Sequence, residues 1–372
     1  MIRILPILLL AVGVAHAADF EAWVRAQNGA VERRADGRIV AVDLSHSWVT
    51  DADLGRIAEL GSLDRLDFSG TRITDVGLEW LKPLTGVREL KLRFAEFVSE
   101  GGLAYLRSWN ELQSLDLRGT QVRSQVFEIL PAFPRLRRLD LSHTRITDEG
   151  FDRLAELEEL EDLAIGSTRL EGAALDYLKQ APHLRTLDLS GVQRVDSGIW
   201  GIALNLSNLR RIGELTALER LDLSGATITD VGSDRPGRPD AERTSLPGLE
   251  ALAGLKRLRE LDLSRQPVTG PDLRFLIELP ELRVLRLGQC VDIDDDAAAV
   301  LAQLPLEELY IAGTAISAPG LAILGQSDSL IQLAVGGTDV TEADATAFRR
   351  SHPRVHLDWF PPQFPRERRT AQ

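Results

Sequence analysis

The apolar positions of this chain recur on a fixed period. Within one period, places 1, 4, 6 and 11 are apolar, followed by places 16, 19 and usually 22. In one copy these are Leu63, Leu66, Phe68, Ile73, Leu78, Leu81 and Leu84. Repeats open at Ile39, Leu63, Val87, Leu112, Leu136, Leu160, Leu184, Leu218, Leu258, Leu282, Leu306 and Leu330, with a partial one at Arg354. Nine of the twelve steps are 24 residues and one is 25; the steps after Leu184 and Leu218 are 34 and 40. Places 4 and 6 alternate as in a strand, whose successive side chains go to opposite faces. Places 16, 19 and 22 recur as on one face of a short helix. Each repeat is therefore predicted to be a strand, a turn and an α- or 3₁₀-helical segment. Thr74-Asp75, Thr147-Asp148 and Thr229-Asp230 fall where the helix should begin, and either side chain can accept from the open N–H groups of a first turn.

The copies agree in letter as well as pattern. LDRLDFSGTRITDVGL at 63–78 returns as LRRLDLSHTRITDEGF at 136–151 and as LERLDLSGATITDVG at 218–232. A single unit of this size has no core of its own, so stability must come from stacking on its neighbours. The pattern L-x-x-L-x-L-x-x-(N/C/T)-x-(I/V) resembles the leucine-rich repeat. The fuller L-x-x-L-D-L-S-G-T-x-I-T-D-x-G-L is similar to bacterial members near the ribonuclease-inhibitor-like and cysteine-containing classes. The resemblance covers residues 39–360. It implies an α/β solenoid, with a curved parallel sheet on the concave face and short helices or 3₁₀ segments on the convex face. One departure stands out. The ninth place, commonly Asn or Cys in that family, is mostly Thr here (Thr71, Thr120, Thr144, Thr168, Thr314 and Thr338), and Cys290 shares it.

The ends read differently. Arg3, the apolar run Ile4–Val14 and Ala15-His16-Ala17 have the form of an export signal over residues 1–17, cleaved before Ala18. No Cys follows the run, which argues against a lipid anchor, and no later run reaches the ~20 apolar residues that a span needs. Residues 18–38 are expected to cap the array. Phe20, Trp23 and Val24 suit a short helix, and Val31–Arg34 with Arg38–Leu44 suit a hairpin around Asp36-Gly37. Residues 39–353 hold the repeats, about twelve, and 354–372 the last strand, a C-terminal cap at Trp359-Phe360-Pro361-Pro362 and a charged tail.

Composition then narrows function. The net charge is −13, and −14 without residues 1–17, with 42 Lys and Arg left against 56 Asp and Glu. Such a chain is not built to bind nucleic acid. One cysteine allows no internal disulfide, and its repeat place predicts a buried, inert thiol. Asp292, Asp294 and Asp296 have the spacing of a calcium loop but lack its glycine and its bidentate glutamate, so an acidic first turn of a helix is expected there. His352 and His356 flank a proline and are not read as a metal pair, and His46 and His143 are read as surface residues. No catalytic set, cofactor or metal site is expected.

The fifth place points to the open face of the sheet and is Asp in eight of thirteen copies (Asp43, Asp67, Asp116, Asp140, Asp188, Asp222, Asp262 and Asp358). Against that background the third repeat departs, with Lys91, Arg93 and Phe94 for Asp, Ser and Gly; Arg118 in the next repeat adds to the patch. Arg286, Gln289 and Tyr310 form a second departure. Large cationic and aromatic side chains are what binding surfaces enrich. The two long repeats carry inserts near 193–208 and 233–247, expected to project from the side or back. The combined expectation is an exported scaffold, secreted or periplasmic and monomeric, presenting a strand face about 58 Å long to a protein partner. The alternatives are a substrate adaptor of the F-box leucine-rich type, which the export signal opposes, and a glycan-binding or enzyme-associated platform.

Overall fold

The computed structural model describes residues 19–191, 202, 205–226 and 248–361. The export segment, Thr229-Asp230, the insert at 233–247, most of the insert near 193–208 and the tail lie outside the described residues. The chain forms two compact units, one running to Arg169 and including Gln180–His183, the other comprising Leu170–Lys179 and the chain from Leu184 on.

The first unit opens with a helix over 19–26 whose Val24 is buried, and a hairpin of β1 (Ala30–Arg33) and β2 (Ile39–Asp43), turning at Gly37 with φ 85°. β1 pairs antiparallel with β2. From there pairing is parallel through β3 (Arg65–Asp67), β4 (Glu89–Lys91), β5 (Ser114–Asp116), β6 (Arg138–Asp140) and β7 (Asp162–Ala164). The second unit pairs β8 (Thr186–Asp188), β9 (Arg220–Asp222), β10 (Glu260–Asp262), β11 (Val284–Arg286), β12 (Glu308–Tyr310), β13 (Gln332–Ala334) and β14 (His356–Asp358), again in parallel. Among these parallel pairs the register does not slip; the one shift is in the hairpin, between Glu32 and Arg33. Place 4 meets place 4, so Leu66, Leu90, Leu115, Leu139 and Leu163 form one buried column, and Leu187, Leu221, Leu261, Leu285, Leu309, Leu333 and Leu357 another. This is the α/β leucine-rich solenoid architecture that the periodicity predicts.

The helical half of the repeat is an α-helix in some copies and a 3₁₀ segment in others. Extended Thr50, Thr74, Ser99, Asn205, Asp294, Ser317 and Thr341 precede α-helices; examples are Asp51–Ala58, Asp75–Trp80 and Asp295–Leu301. The 3₁₀ segments Phe151–Glu156 and Leu249–Gly254 follow left-handed Gly150 and Gly248, while Ser124–Glu128 follows extended Arg123 and Pro271–Glu278 follows right-handed Gly270. Both inserts lie ahead of the helix. Leu209, Ile212 and Leu215 are the buried face of one long repeat, and Leu249, Leu252 and Leu255 that of the other. Leu206–Leu209 are thus part of the repeat's own helix Leu206–Gly213 rather than of a projecting loop. Asn205 caps that helix by accepting from Asn208 N–H at 2.9 Å.

The Thr-Asp pair works across repeats. The Asp51 carboxylate accepts both the N–H and the Oγ1–H of Thr74 in the next repeat, each at 2.7 Å. Asp75 accepts from Ser99 N–H at 2.7 Å and its hydroxyl at 2.5 Å; Asp295 does the same for Ser317 at 2.8 and 2.5 Å. Each carboxylate thereby satisfies donors that a helix start leaves open. The glycine two residues beyond each Asp position makes room for it. A Cβ on Gly77, Gly102 or Gly320 would stand 2.4, 2.5 or 2.2 Å from the carboxylate of Asp51, Asp75 or Asp295. The T-D-x-G-L motif is a joint between neighbours, with the Asp reaching forward and the Gly receiving the Asp behind it.

Candidate functional site

What the open face offers is decided by the turn after each strand. Seven of the eight fifth-place aspartates are engaged by that turn, and the eighth, Asp358, pairs with His356 and accepts from Gln332. Oδ1 of Asp43, Asp67, Asp116 and Asp140 accepts the N–H two residues on, and so does that of Asp188, Asp222 and Asp262, at 2.7–3.1 Å. This is an Asx turn, which explains the column without a ligand. Burial, aided by neighbouring aspartates, pushes the carboxyls of Asp140 and Asp222 above the ordinary range.

The ninth place closes the turn from inside. Thr71, Thr120, Thr144 and Thr168 each donate their hydroxyl to the carbonyl three residues back, at 2.5–2.9 Å, and Thr314 and Thr338 repeat the bond in the second unit at 2.7 Å. Cys290, fully buried, points its sulfur at the Leu263 carbonyl at 3.2 Å, and burial pushes its thiol up to about 12.

Between them, the eighth place holds the left-handed region. Gly70 and Gly119 have φ 67° and 71°, the conformation in which glycine is unstrained. His46, Phe94, His143, Ser167, Arg265 and Gln289 take the same conformation with φ 53–65° despite a Cβ. In the first unit the side chains alternate in size: His46, Gly70, Phe94, Gly119, His143, Ser167. The large member lies over the glycine of the next repeat. A Cβ on Gly70 would stand 2.4 Å from His46 Nδ1, and one on Gly119 2.3 Å from the Phe94 ring. Phe94 is 46% exposed, with the His143 ring 6.5 Å away.

The structure does gather the first sequence-predicted patch, but with its charges compensated. Lys91 pairs with Glu89 at 3.0 Å, and that carboxylate holds the ammonium pKa above its ordinary value. Arg93 pairs with Asp116 at 3.0 Å, and Arg118 meets the His143 ring nitrogen at 3.0 Å. Carboxylates thus offset Lys91 and Arg93, leaving Phe94 as the feature that sets this turn apart. The second patch also assembles. The Arg286 guanidinium stacks 5.1 Å from the centre of the Tyr310 ring and lies 3.5 Å from Glu260. Tyr310 donates to Glu308 at 2.7 Å, which with burial raises its phenol pKa. Gln289 lies over Gly313 as Phe94 does over Gly119. Sequence reasoning missed that Phe94 and Gln289 sit on left-handed backbone; the glycines at the same place of other repeats were the available signal. His352 stacks on Phe348 at 4.3 Å and His356 pairs with Asp358 at 3.1 Å, so each is used within its own end of the fold.

A family model described as the leucine-rich repeat matches residues 135–155 and 215–232. No curated protein matches the sequence. Among solved structures, an internalin of Listeria monocytogenes is similar with a TM-score of 0.52 at 17% identity, covering 88% of this chain and 87% of its own. A leucine-rich repeat protein of Leptospira interrogans is matched at 17% identity with a TM-score of 0.39, covering 82% of this chain and 86% of that one. The repeated strand–turn–helix unit, the family match and the fold shared with the internalin make this chain a leucine-rich repeat protein.

Proposed function

We infer that this protein is an exported scaffold without catalysis of its own, and that it binds a protein partner through the face around Phe94. The observation that carries this reading is the Phe94 backbone. A left-handed residue with a Cβ costs about 1–2 kcal/mol, and glycine fills the place without strain in the following repeat. A half-exposed aromatic ring held there at that cost is suited to act as an apolar anchor, ringed by Lys91, Arg93 and Arg118. The pairs of Lys91 and Arg93 are exposed, and pairs of that kind contribute little to stability, so an acidic partner can exchange for Glu89 or Asp116. Export rests on residues 1–17; among the described residues no helix is long and apolar enough to cross a membrane.

The test is affinity capture from the native envelope and culture fluid with the chain from Ala18 on, followed by titration of the recovered protein. Lys91→Asp with Arg93→Ser, or Phe94→Gly, should abolish binding while leaving the unfolding midpoint near that of the wild type. Affinity within about twofold of wild type, near 0.4 kcal/mol, would reject the Phe94 face and move the contact to Arg286, Gln289 and Tyr310.

A further inference from the structure

A second surface lies off the open face, where the chain leaves the strand for the helix. There the tenth-place backbone N–H groups form their own ladder. Gln121, Arg145 and Arg169 donate to Val98, Val122 and Ile146 of the preceding repeat at 2.9, 3.1 and 3.0 Å, and Arg123 is bridged in parallel to Arg145. The ladder brings Arg123, Arg145 and Arg169 to one cleft of about 220 Å³, floored by Ser124 and Thr147, whose hydroxyls bond to each other at 2.8 Å. Among the described residues that line it, Glu149 is the one carboxylate beside three arginines, on a protein whose net charge is −13.

Two further facts bear on this cleft. Among the described residues neither the Arg123 nor the Arg145 side chain has a carboxylate partner, whereas ten other cations of the first unit do. Like charges on adjacent rungs repel, so an anion between them would relieve the arrangement. Arg123 also stands where Thr74, Ser99 and Ser317 occupy the position before the helix, and its 3₁₀ segment Ser124–Glu128 has no side-chain cap. The position gives up a cap and gains a cation.

We propose that Arg123, Arg145 and Arg169 bind a doubly charged tetrahedral oxyanion, phosphate or sulfate, either free or as the terminal monoester of a larger molecule. Guanidinium forks match such oxygens two at a time, and the rungs, about 4.8 Å apart, let neighbouring forks grip one anion from two sides. The volume leaves room for the carrier of an ester beyond the oxyanion itself.

The test is thermal unfolding of the full chain at low chloride and constant ionic strength, titrated with inorganic phosphate, inorganic sulfate and glucose 6-phosphate. The wild type should show a saturable rise in midpoint. Arg145→Gln, and separately Arg123→Thr, which restores the small hydroxyl of other repeats, should weaken the apparent affinity at least tenfold. Arg72→Gln, at the tenth place outside the cleft, and Phe94→Gly should leave it unchanged. Glucose 6-phosphate binding as tightly as phosphate assigns the site to an ester; phosphate or sulfate alone assigns it to the free ion. A rise that never saturates, as general salt stabilisation gives, or Arg145→Gln and Arg123→Thr variants that keep affinity within twofold, overturns the proposal.

Discussion

Replacing Phe94 by alanine and by glycine separates the backbone at this position from the ring upon it. Both variants remove the same aromatic contact with Gly119 and His143. Burying a whole Phe side chain is worth about 1.5–3 kcal/mol, and with 46% of Phe94 exposed the ring contributes roughly half of that, about 1 kcal/mol. Alanine loses the ring and keeps the left-handed strain at φ 55°. Glycine loses the ring and also sheds about 1–2 kcal/mol of strain, against about 0.5–1 kcal/mol of extra chain entropy in the unfolded state. The expected order places Phe94→Gly close to wild type and Phe94→Ala about 1 kcal/mol below it. That is the reverse of the order found in an ordinary strand or helix. Urea titration followed by far-ultraviolet circular dichroism reads the difference. With a slope near 3 kcal/mol/M, the two midpoints should differ by about 0.3 M. A Phe94→Ala protein more stable than Phe94→Gly would show that the residue is not held left-handed, and the argument for a strained anchor would fall with it.

The Cys290 thiol should resist aromatic disulfide reagents at pH 8 in the folded protein and react fully in urea, because the buried sulfur is not ionised. Burial lifts its pKa from the ordinary thiol value of 9.0 to about 12 in the fold. The stability gained from keeping it neutral is therefore complete below pH 9 and declines as pH climbs toward 12. Cys290→Thr should lack that part of the alkaline decline, and identical alkaline profiles would refute the assignment. Gly77→Ala should cost about 1–3 kcal/mol by overpacking against Asp51. In an Asp51→Ala background the same change should be neutral or stabilising by up to about 1 kcal/mol; a cost unchanged between the two backgrounds would mean the joint is misread.

The period of the chain was legible because each repeat solves the same burial problem with the same residues. Leu63, Leu66, Phe68, Ile73, Leu78, Leu81 and Leu84, placed inside by spacing alone, are all at most 2% exposed. The choice between α- and 3₁₀-helix was not legible from the apolar places, which are alike in both. Nor does the residue before the helix settle it: left-handed Gly150 precedes a 3₁₀ segment, but so does extended Arg123, whose backbone matches that of Thr74 before an α-helix. Thr74-Asp75 stands at a helix start as expected, whereas Thr147-Asp148 lies ahead of a segment that begins only at Phe151; the reach of the pair was not legible, since a strand–helix period says nothing about bonds to a residue 23 positions away. The Lys91–Arg93–Phe94 patch was visible as a departure from the other copies. Its compensation was not, because Glu89 and Asp116 look the same in sequence whether or not they turn toward the cations.

The joint made by Asp51 and Thr74, and again by Asp75 and Ser99, has a consequence for how such a chain can change length. It is a head-to-tail contact of the open kind, in which the two surfaces differ and nothing closes the series. Each repeat built this way carries the acceptor for its successor and the donors and the glycine notch for its predecessor. Copying or deleting one whole period therefore leaves every interior joint matched, whereas a cut at any other phase strands a carboxylate against a side chain that fills its notch. A sequence of this design can grow or shrink in steps of one repeat, and the places where the motif lapses, such as Arg123 in place of a hydroxyl residue, are where a copy has stopped being interchangeable with the rest.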